Sequence, residues 1–398
     1  VRILFVVPYI PSLVRVRPYN LIHALAAHGR QIHLVLLQPP EDRGVSIEPL
    51  QTICEKVEVF PLARTHTLLN TALSLPTRTP LQAAYSHHPQ AERRLQTLIA
   101  AGLFDVMHLE HLRGAVLADH LNGLPTVFDS VDSISYLFEQ VQQHAPNWRS
   151  RLMAFIDLAR TRHYESQLPT RFAHTLVTSP LDKHAFVQLN PATESKISIL
   201  PNGVDLNYFQ PTTTPRDPAT ILFSGKLSYH ANVAAALFLA QSIMPLVWEQ
   251  RPEARLILVG KDPAPALRAL TTDSRITVTG YVPDLRPYFA RATVAVAPLR
   301  YGAGVQNKVL EAMATGLPVV ATPQVLGALQ AEPGRHLLIG DSQRQLATHL
   351  LTLIEQPSLR QTLIEAGRQY VEAHHNWAAI ANELTRIYQS ASLDRRGP

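Results

Sequence analysis

The stretch Pro298-Leu299-Arg300-Tyr301-Gly302-Ala303-Gly304-Val305-Gln306-Asn307-Lys308-Val309-Leu310-Glu311 is the part of the chain whose residue types and spacing most clearly could do chemistry. It reads as the end of a strand, a glycine loop and the first turns of a helix. Glycines in such a loop let backbone N–H groups approach an anion closely. The helix that follows aims the positive end of its dipole at the same place. Lys308 falls in the first turn, where a cation costs about 0.3–1 kcal/mol against that dipole. A bound diphosphate would reverse the sign, and Glu311 lies one turn on, on the same face. The alternative is an ordinary Lys–Glu surface pair with Gly316 ending the helix, but it leaves the loop glycines and the misplaced lysine unexplained.

The elements that must position this segment follow one rhythm. Short apolar, β-branched runs at 3–7, 32–37, 57–60, 105–109, 126–128, 175–178 and 197–200 alternate with amphipathic stretches. That alternation predicts a parallel sheet covered by helices on both faces. It stops at Pro201-Asn202-Gly203-Val204-Asp205, and the Thr- and Pro-rich segment 210–218 has the composition of an exposed boundary. It restarts with runs at 221–224, 255–259, 276–278, 294–297 and 319–321, and the chain closes on helices near 343–355, 358–374 and 377–390. Two Rossmann-like domains facing a central cleft are therefore expected, with ligands at the strand carboxyl ends.

Composition removes several classes. The 398 residues are 46% hydrophobic and only 17% charged, with a net charge of +5, which excludes a disordered chain and a nucleic-acid-type basic domain. One cysteine, Cys54, permits neither an internal disulfide nor a cysteine-based zinc site and suits a reducing compartment. No run approaches 18 consecutive apolar residues, so no membrane span is expected, and residues 1–7 read as a buried strand rather than a leader. There is no G-x-G-x-x-G after the first strand, no P-loop, no H-E-x-x-H, no G-x-S-x-G and no D-x-D.

The chain resembles the GT-B glycosyltransferases of family 4, a retaining, nucleotide-sugar-dependent group, and most closely its bacterial sugar-transferase branch with a Gly-x-Gly-x-x-x-Lys-x-x-Glu loop. The likeness covers nearly the whole chain. It is carried by Leu-Pro-Asn-Gly-Val-Asp at 200–205, Phe223-Ser224-Gly225-Lys226-Leu227, Leu258-Val259-Gly260, Gly280-Tyr281-Val282 and the 308–318 segment. The resemblance implies that Glu311 bonds the donor ribose, that Gly304 and Val305 hold the diphosphate through backbone amides, and that Val282 reads the base. Gly225 and Lys226 match a Gly-Arg pair whose cation binds phosphate, with Lys losing the bidentate fork of Arg. The first acid of the family's E-x7-E falls at Ala303, and a second phosphate lysine falls near Ala231. Lys308 is the residue expected to supply that missing charge.

The first half departs further from the family. Its loop after strand one is Pro8-Tyr9-Ile10-Pro11-Ser12-Leu13-Val14-Arg15-Val16-Arg17-Pro18, and Arg17 is the expected diphosphate contact there. Glu110, ending one strand in His108-Leu109-Glu110-His111, and Asp129, ending the next, are expected at an acceptor or sugar hydroxyl. Asp132 reads either as such a ligand or as a helix N-cap. The stretch 148–174 reads as a core helix with an arginine-rich solvated face, with contact to an anionic membrane as the second reading.

The resemblance thus implies a transferase moving a sugar from a nucleotide-diphosphate donor to a glycan, lipid-linked or small-molecule hydroxyl in bacterial polysaccharide biosynthesis. Its machinery would be Lys226, Lys308, Asp129 and Glu110, with no metal, no other cofactor and no nucleic-acid partner. The expected domains are 1–205 on the acceptor side and 206–375 on the donor side, with 376–398 returning to the first. The expected location is the cytoplasm, with peripheral contact at the inner face of the membrane as a variant. A nucleotide-sugar 2-epimerase of the same fold and a non-catalytic nucleotide-sugar-binding protein are the rival readings.

Overall fold

The computed structural model describes residues 1–13, 15–119, 121–144, 148–301 and 305–393. The chain divides into two compact units, one of Val1–Glu139, Arg151–Asn202 and Trp377–Pro398, the other of Gln140–Ser150 and Gly203–Asn376.

The first unit is built on seven strands: β1 (Arg2–Val7), β2 (Gln31–Gln38), β3 (Lys56–Pro61), β4 (Val106–Glu110), β5 (Thr126–Val131), β6 (His174–Val177) and β7 (Ile197–Ile199). They lie in the order β3-β2-β1-β4-β5-β6-β7, all neighbours parallel. Alternation along β1 explains why both faces are covered. Ile3, Phe5 and Val7 enter one apolar cluster, and Leu4 and Val6 enter another on the opposite face.

The final helix, Trp377–Leu393, belongs to the first of these clusters. Trp377, Ile380, Ala381, Leu384, Tyr388 and Ala391 recur at helical spacing and pack with Leu21, Ile22 and Leu25 of the helix Val16–Ala27. The last helix of the chain is therefore part of the first unit's core, although the second unit precedes it in sequence.

The second unit carries β8 (Thr220–Ser224), β9 (Arg255–Val259), β10 (Ile276–Val278), β11 (Val294–Ala297), β12 (Val319–Ala321) and β13 (Leu338–Ile339). Their order is β10-β9-β8-β11-β12-β13, again parallel. β13 is too short to announce itself in the sequence. In each unit the order reverses beside the first strand, between β1 and β4 and between β8 and β11, and such switch points are where parallel sheets open a crevice for ligands.

Among the described residues, the helical run His230–Trp248 is long and apolar enough to cross a bilayer, with half of the window buried inside the protein. Leu239, Ala240, Ile243, Met244 and Val247 are all buried. This is how a core helix of an α/β unit passes a test of length and composition.

Leu384 is fully buried, so Leu384→Ala should lower the free energy of unfolding by about 2–5 kcal/mol. Arg386→Ala, on the exposed face of the same helix, should stay within about 0.5 kcal/mol. Urea titrations of the two variants check the contrast.

Candidate functional site

In the second unit, the loops after β8 and β9 meet at a single close approach. A Cβ on Gly260 would lie 1.7 Å from the carbonyl oxygen of Gly225, so no other residue fits there. The two loops are tied by Gly225 N–H to Val259 O (3.0 Å) and Leu227 N–H to Lys261 O (3.0 Å). A Cβ on Gly225 would in turn press on Asn232 Nδ2 at 2.9 Å and on Lys308 Cε at 3.4 Å. The glycines therefore make room for a lysine that arrives from another element.

Lys308 is the second residue of the helix Asn307–Ala314, which follows β11 across the switch point. Its Nζ donates to Asn232 Oδ1 at 2.5 Å and stands 4.6 Å from the centre of the Phe223 ring. Asn232 also donates from Nδ2 to the Lys226 carbonyl at 3.0 Å, linking the β8 loop to the lysine. Burial pulls the Lys308 ammonium down to about 7, opposed by the charge of Glu311. Burial pushes the Glu311 carboxyl up to about 7, opposed in turn by Lys308. The site thus holds one cation and one acid that are both poised near neutrality.

The other expected donor residues lie in the same unit. Lys226 is exposed beside Gly225, Val305 is buried at the amino end of the helix, and Val282 is half-buried in the loop after β10. Gly304, with its neighbours Gly302 and Ala303, lies outside the described residues. Two partners escaped the sequence reading. Asn232 stands next to Ala231, the position expected to lack a lysine, and that adjacency was its only signal. His230 Nδ1 meets the Tyr301 hydroxyl at 3.0 Å with the rings stacked 5.5 Å apart, pinning the start of the Lys308 loop to the helix after β8. A separate hollow of 320 Å³ in this unit, beside Tyr208 and Asp284, contains neither Lys308 nor Glu311, and Asp284 is paired with Arg286.

In the first unit, the expected residues gather at the carboxyl ends of β4 and β5, but in other roles. Arg17 is not an open anion contact. Its Nε and Nη2 donate to Asp129 Oδ2 at 2.9 and 2.7 Å, and its Nη1 donates to Pro201 O (3.2 Å) and Asn202 Oδ1 (2.9 Å). The side chain is buried, and these four bonds all run to acceptors of the first unit.

Asp129 is fully buried, its second oxygen accepting the Val131 N–H at 3.0 Å, and Glu110 is equally buried. Both carboxylates are thus held inside the protein, Asp129 against Arg17 and Glu110 against Tyr9. Burial, reinforced by the charge of Asp129, pushes Glu110 up to about 8, so it is protonated at neutral pH. Tyr9 donates to its Oε1 at 2.8 Å, while Oε2 has no partner. His108 is neutral for the same reason, burial drawing it down to about 4, and its Nδ1 lies 2.8 Å from the Tyr388 hydroxyl.

The residues that follow these strands carry strain. His111 after Glu110 has φ +64°, and the β-branched Val131 has φ +67°. Asp132 accepts from Thr178 Oγ1 at 3.2 Å, and it is Ser133 that accepts the Tyr136 N–H at 3.3 Å, so the helix cap falls one residue later than expected.

Two parallel-sheet units, each with ligand-type residues at its switch point, define a GT-B architecture. Similar folds include sucrose-phosphate synthase from Thermosynechococcus elongatus (TM-score 0.69, 20% identity, 98% of each chain) and Anabaena Alr3699/HepE in complex with UDP and glucose (TM-score 0.68, 16% identity, 98% of this chain and 99% of that one). Residues 218–356, which contain the glycine loops, Lys308 and Glu311, match the family described as glycosyl transferases group 1. A GDP-mannose-dependent monoacylated alpha-(1-6)-phosphatidylinositol monomannoside mannosyltransferase of Corynebacterium glutamicum is 30% identical over 211 residues, 48% of this chain and 55% of that protein. The chain spans about half the length of the curated relatives it matches. Over residues 218–356 the chain is similar to the group 1 glycosyl transferases, and its fold is that of the GT-B structures it resembles.

The poised lysine yields a test that needs no sugar. An anion beside Lys308 raises its depressed proton affinity, so binding inorganic pyrophosphate at pH 8 should take up close to one proton. Affinity should fall by up to about tenfold per pH unit above pH 7. Calorimetry in buffers of different ionisation enthalpy measures the uptake, and Lys308→Met should abolish it.

Proposed function

We propose that the protein is a retaining glycosyltransferase that uses a nucleotide-diphosphate sugar and needs no metal ion. The observation that carries this reading is the meeting of Lys308 with the Gly225–Gly260 crossing at the switch point of the second unit. A half-buried cation, a helix amino end and closely approached backbone suit a diphosphate.

In this reading the sugar–phosphate bond breaks with its electron pair leaving on the diphosphate, through an oxocarbenium-like state. Negative charge grows on the departing phosphate. Lys308 then gains its proton fully and interacts more strongly than in the ground state, which is where catalysis is won. Lys226, exposed on the neighbouring loop, adds a second cation. Glu311, one turn along from Lys308, takes the ribose hydroxyls, and Val282 the base. The buried Arg17–Asp129 pair and Glu110 hold the strand ends of the first unit rather than touch the donor. Acceptors of the hydroxyl class, whether glycan, lipid-linked or small, complete the reaction in the cytoplasm.

Among the described residues no group of three or more His, Cys, Asp or Glu side chains is placed to hold a metal ion. Two lysines near one diphosphate would also repel a divalent cation. Turnover should therefore survive excess EDTA, and loss of activity restored only by Mn²⁺ or Mg²⁺ would overturn the charge assignment.

The reading itself is tested by supplying UDP-, GDP- and other nucleotide sugars with cell-envelope extract and following free nucleotide and the anomeric configuration of the product. Release of nucleotide that depends on the extract, with retained configuration, is the expected result; interconversion of the sugar without release would favour a 2-epimerase. Glu311→Gln should weaken nucleotide binding about tenfold while leaving the fold intact, because a charge-assisted bond becomes a neutral one. Unchanged affinity in calorimetry would remove Glu311 from the site.

A further inference from the structure

Asn232 is a polar side chain that the second unit keeps almost wholly from water, with 7% of its surface exposed. It lies in the first turn of the helix His230–Phe238, but both ends of its amide bond outside that helix. Nδ2 donates to the Lys226 carbonyl at 3.0 Å, and Oδ1 accepts from Lys308 Nζ at 2.5 Å. An ammonium can only donate and a carbonyl can only accept, so the amide fits between them in one orientation. Turned over, it would set its NH2 group against the ammonium and its oxygen against the carbonyl.

Gly225 leaves the space that this amide fills. A Cβ there would meet Asn232 Nδ2 at 2.9 Å, closer than Lys308 Cε at 3.4 Å. The bare position in the β8 loop therefore admits the amide first and the lysine stem second. The Phe223 ring, 4.6 Å from Nζ, lies beside the ammonium and offers it a π face but no oxygen.

Few charges are placed to act on this lysine. Its own helix brings Glu311, whose charge opposes the effect of burial on Lys308. The helix after β8 brings His230, which is bonded to Tyr301. The β8 loop brings Lys226 and the β9 loop brings Lys261 and Asp262, of which Lys226 and Asp262 are exposed. Arg368, from the helix Pro357–His374, bonds the Ala314 carbonyl at the other end of the Lys308 helix. A hydrogen bond made by the charged form of a group favours that form. Without the amide, burial would act on Lys308 with Glu311 alone to oppose it.

We propose that Asn232 is the positioning residue for Lys308: its amide, locked by the Lys226 carbonyl, holds the ammonium at the Gly225 loop and supports its charged form there. It acts through the lysine rather than on a substrate atom. Its use in the reaction rests on the transferase reading, in which a cation already fixed beside the departing phosphate needs no rearrangement as the bond breaks.

The chain has six lysines, so the ammonium nitrogen of Lys308 can be followed by NMR in lysine-labelled full-length protein and assigned by its loss in Lys308→Met. In the empty protein, Asn232→Asp keeps the shape, adds a charge and should raise the pH at which Lys308 gives up its proton by about one unit or more. Asn232→Ala should lower that pH by about half a unit and weaken pyrophosphate binding at pH 8 about threefold or more. Asn232→Leu, which fills the same space without an acceptor, should do the same and serves where the smaller side chain fails to fold. Every one of these variants loses the bond to the Lys226 carbonyl, so a mere loop tie predicts the same response from all of them. Opposite shifts are the expected result; no shift in the variants without an acceptor, or shifts of one sign throughout, would overturn the proposal. Opposite shifts in a protein whose wild type binds no pyrophosphate would uphold the pairing of Asn232 with Lys308 and overturn the transferase reading instead.

Discussion

The second unit depends on a space that only backbone can occupy. Gly260 lies against the carbonyl of Gly225 so closely that any side chain would overlap it. Because of that contact, the β8 and β9 loops run as a tied pair. Gly225 is left without a Cβ facing Lys308 and Asn232, and the lysine stem can lie across the Phe223 ring. β8 and β9 are direct neighbours in the sheet, and the switch point between β8 and β11 sets the helix after β11 beside them; the missing side chains let a charged group from that helix reach the β8 loop. A substitution at Gly260 would therefore act on Lys308 through two intervening contacts, without touching it.

The first unit solves a different problem with opposite means. Its strand ends hold an arginine, two acids and a histidine away from water, where unpaired charge is expensive. The structure keeps one ion pair, Arg17 with Asp129, and lets the others be neutral: Glu110 by protonation and His108 by deprotonation. The strained His111 and Val131 sit beside the two acids, so the backbone there is held by the network rather than by its own preference. Tyr388 reaches this network from the C-terminal helix, so the last residues of the chain help to fix the ends of the strands.

Most of the fold was legible because buried parallel strands are written as short apolar runs, and twelve of them can be read directly. β13, with two residues, has no such run. The donor-side loops were legible because glycine and a lysine against a helix dipole are locally odd choices. The pairing of Arg17 was illegible for the opposite reason. A loop arginine looks the same in sequence whether it waits for a phosphate or grips an aspartate 112 residues away. The helix Trp148–Arg171 was expected to bury its apolar side, yet Leu152, Phe155 and Ile156 are exposed while Asp157 and Thr161 are buried; helical periodicity reports that one side is apolar, and tertiary packing alone decides which side is buried.

In the proposed function, Lys308 takes the place of a lysine at position 231. That position is a buried alanine at the start of the helix after β8, with no reach toward an anion. Lys308 brings its ammonium to Asn232, the very next residue, from the helix after β11. The charge is therefore delivered to the same corner from the other side of the switch point. A lysine delivered this way is half-buried, and its loss of water is what pulls it toward neutrality. An empty site then carries little uncompensated charge, with Lys308 and Glu311 both free to be neutral. An anion restores the lysine's charge as it enters, and growth of charge on a departing phosphate would complete it. Within the proposed reaction, the same desolvation that weakens the cation in the empty protein makes it respond most strongly at the moment the bond breaks.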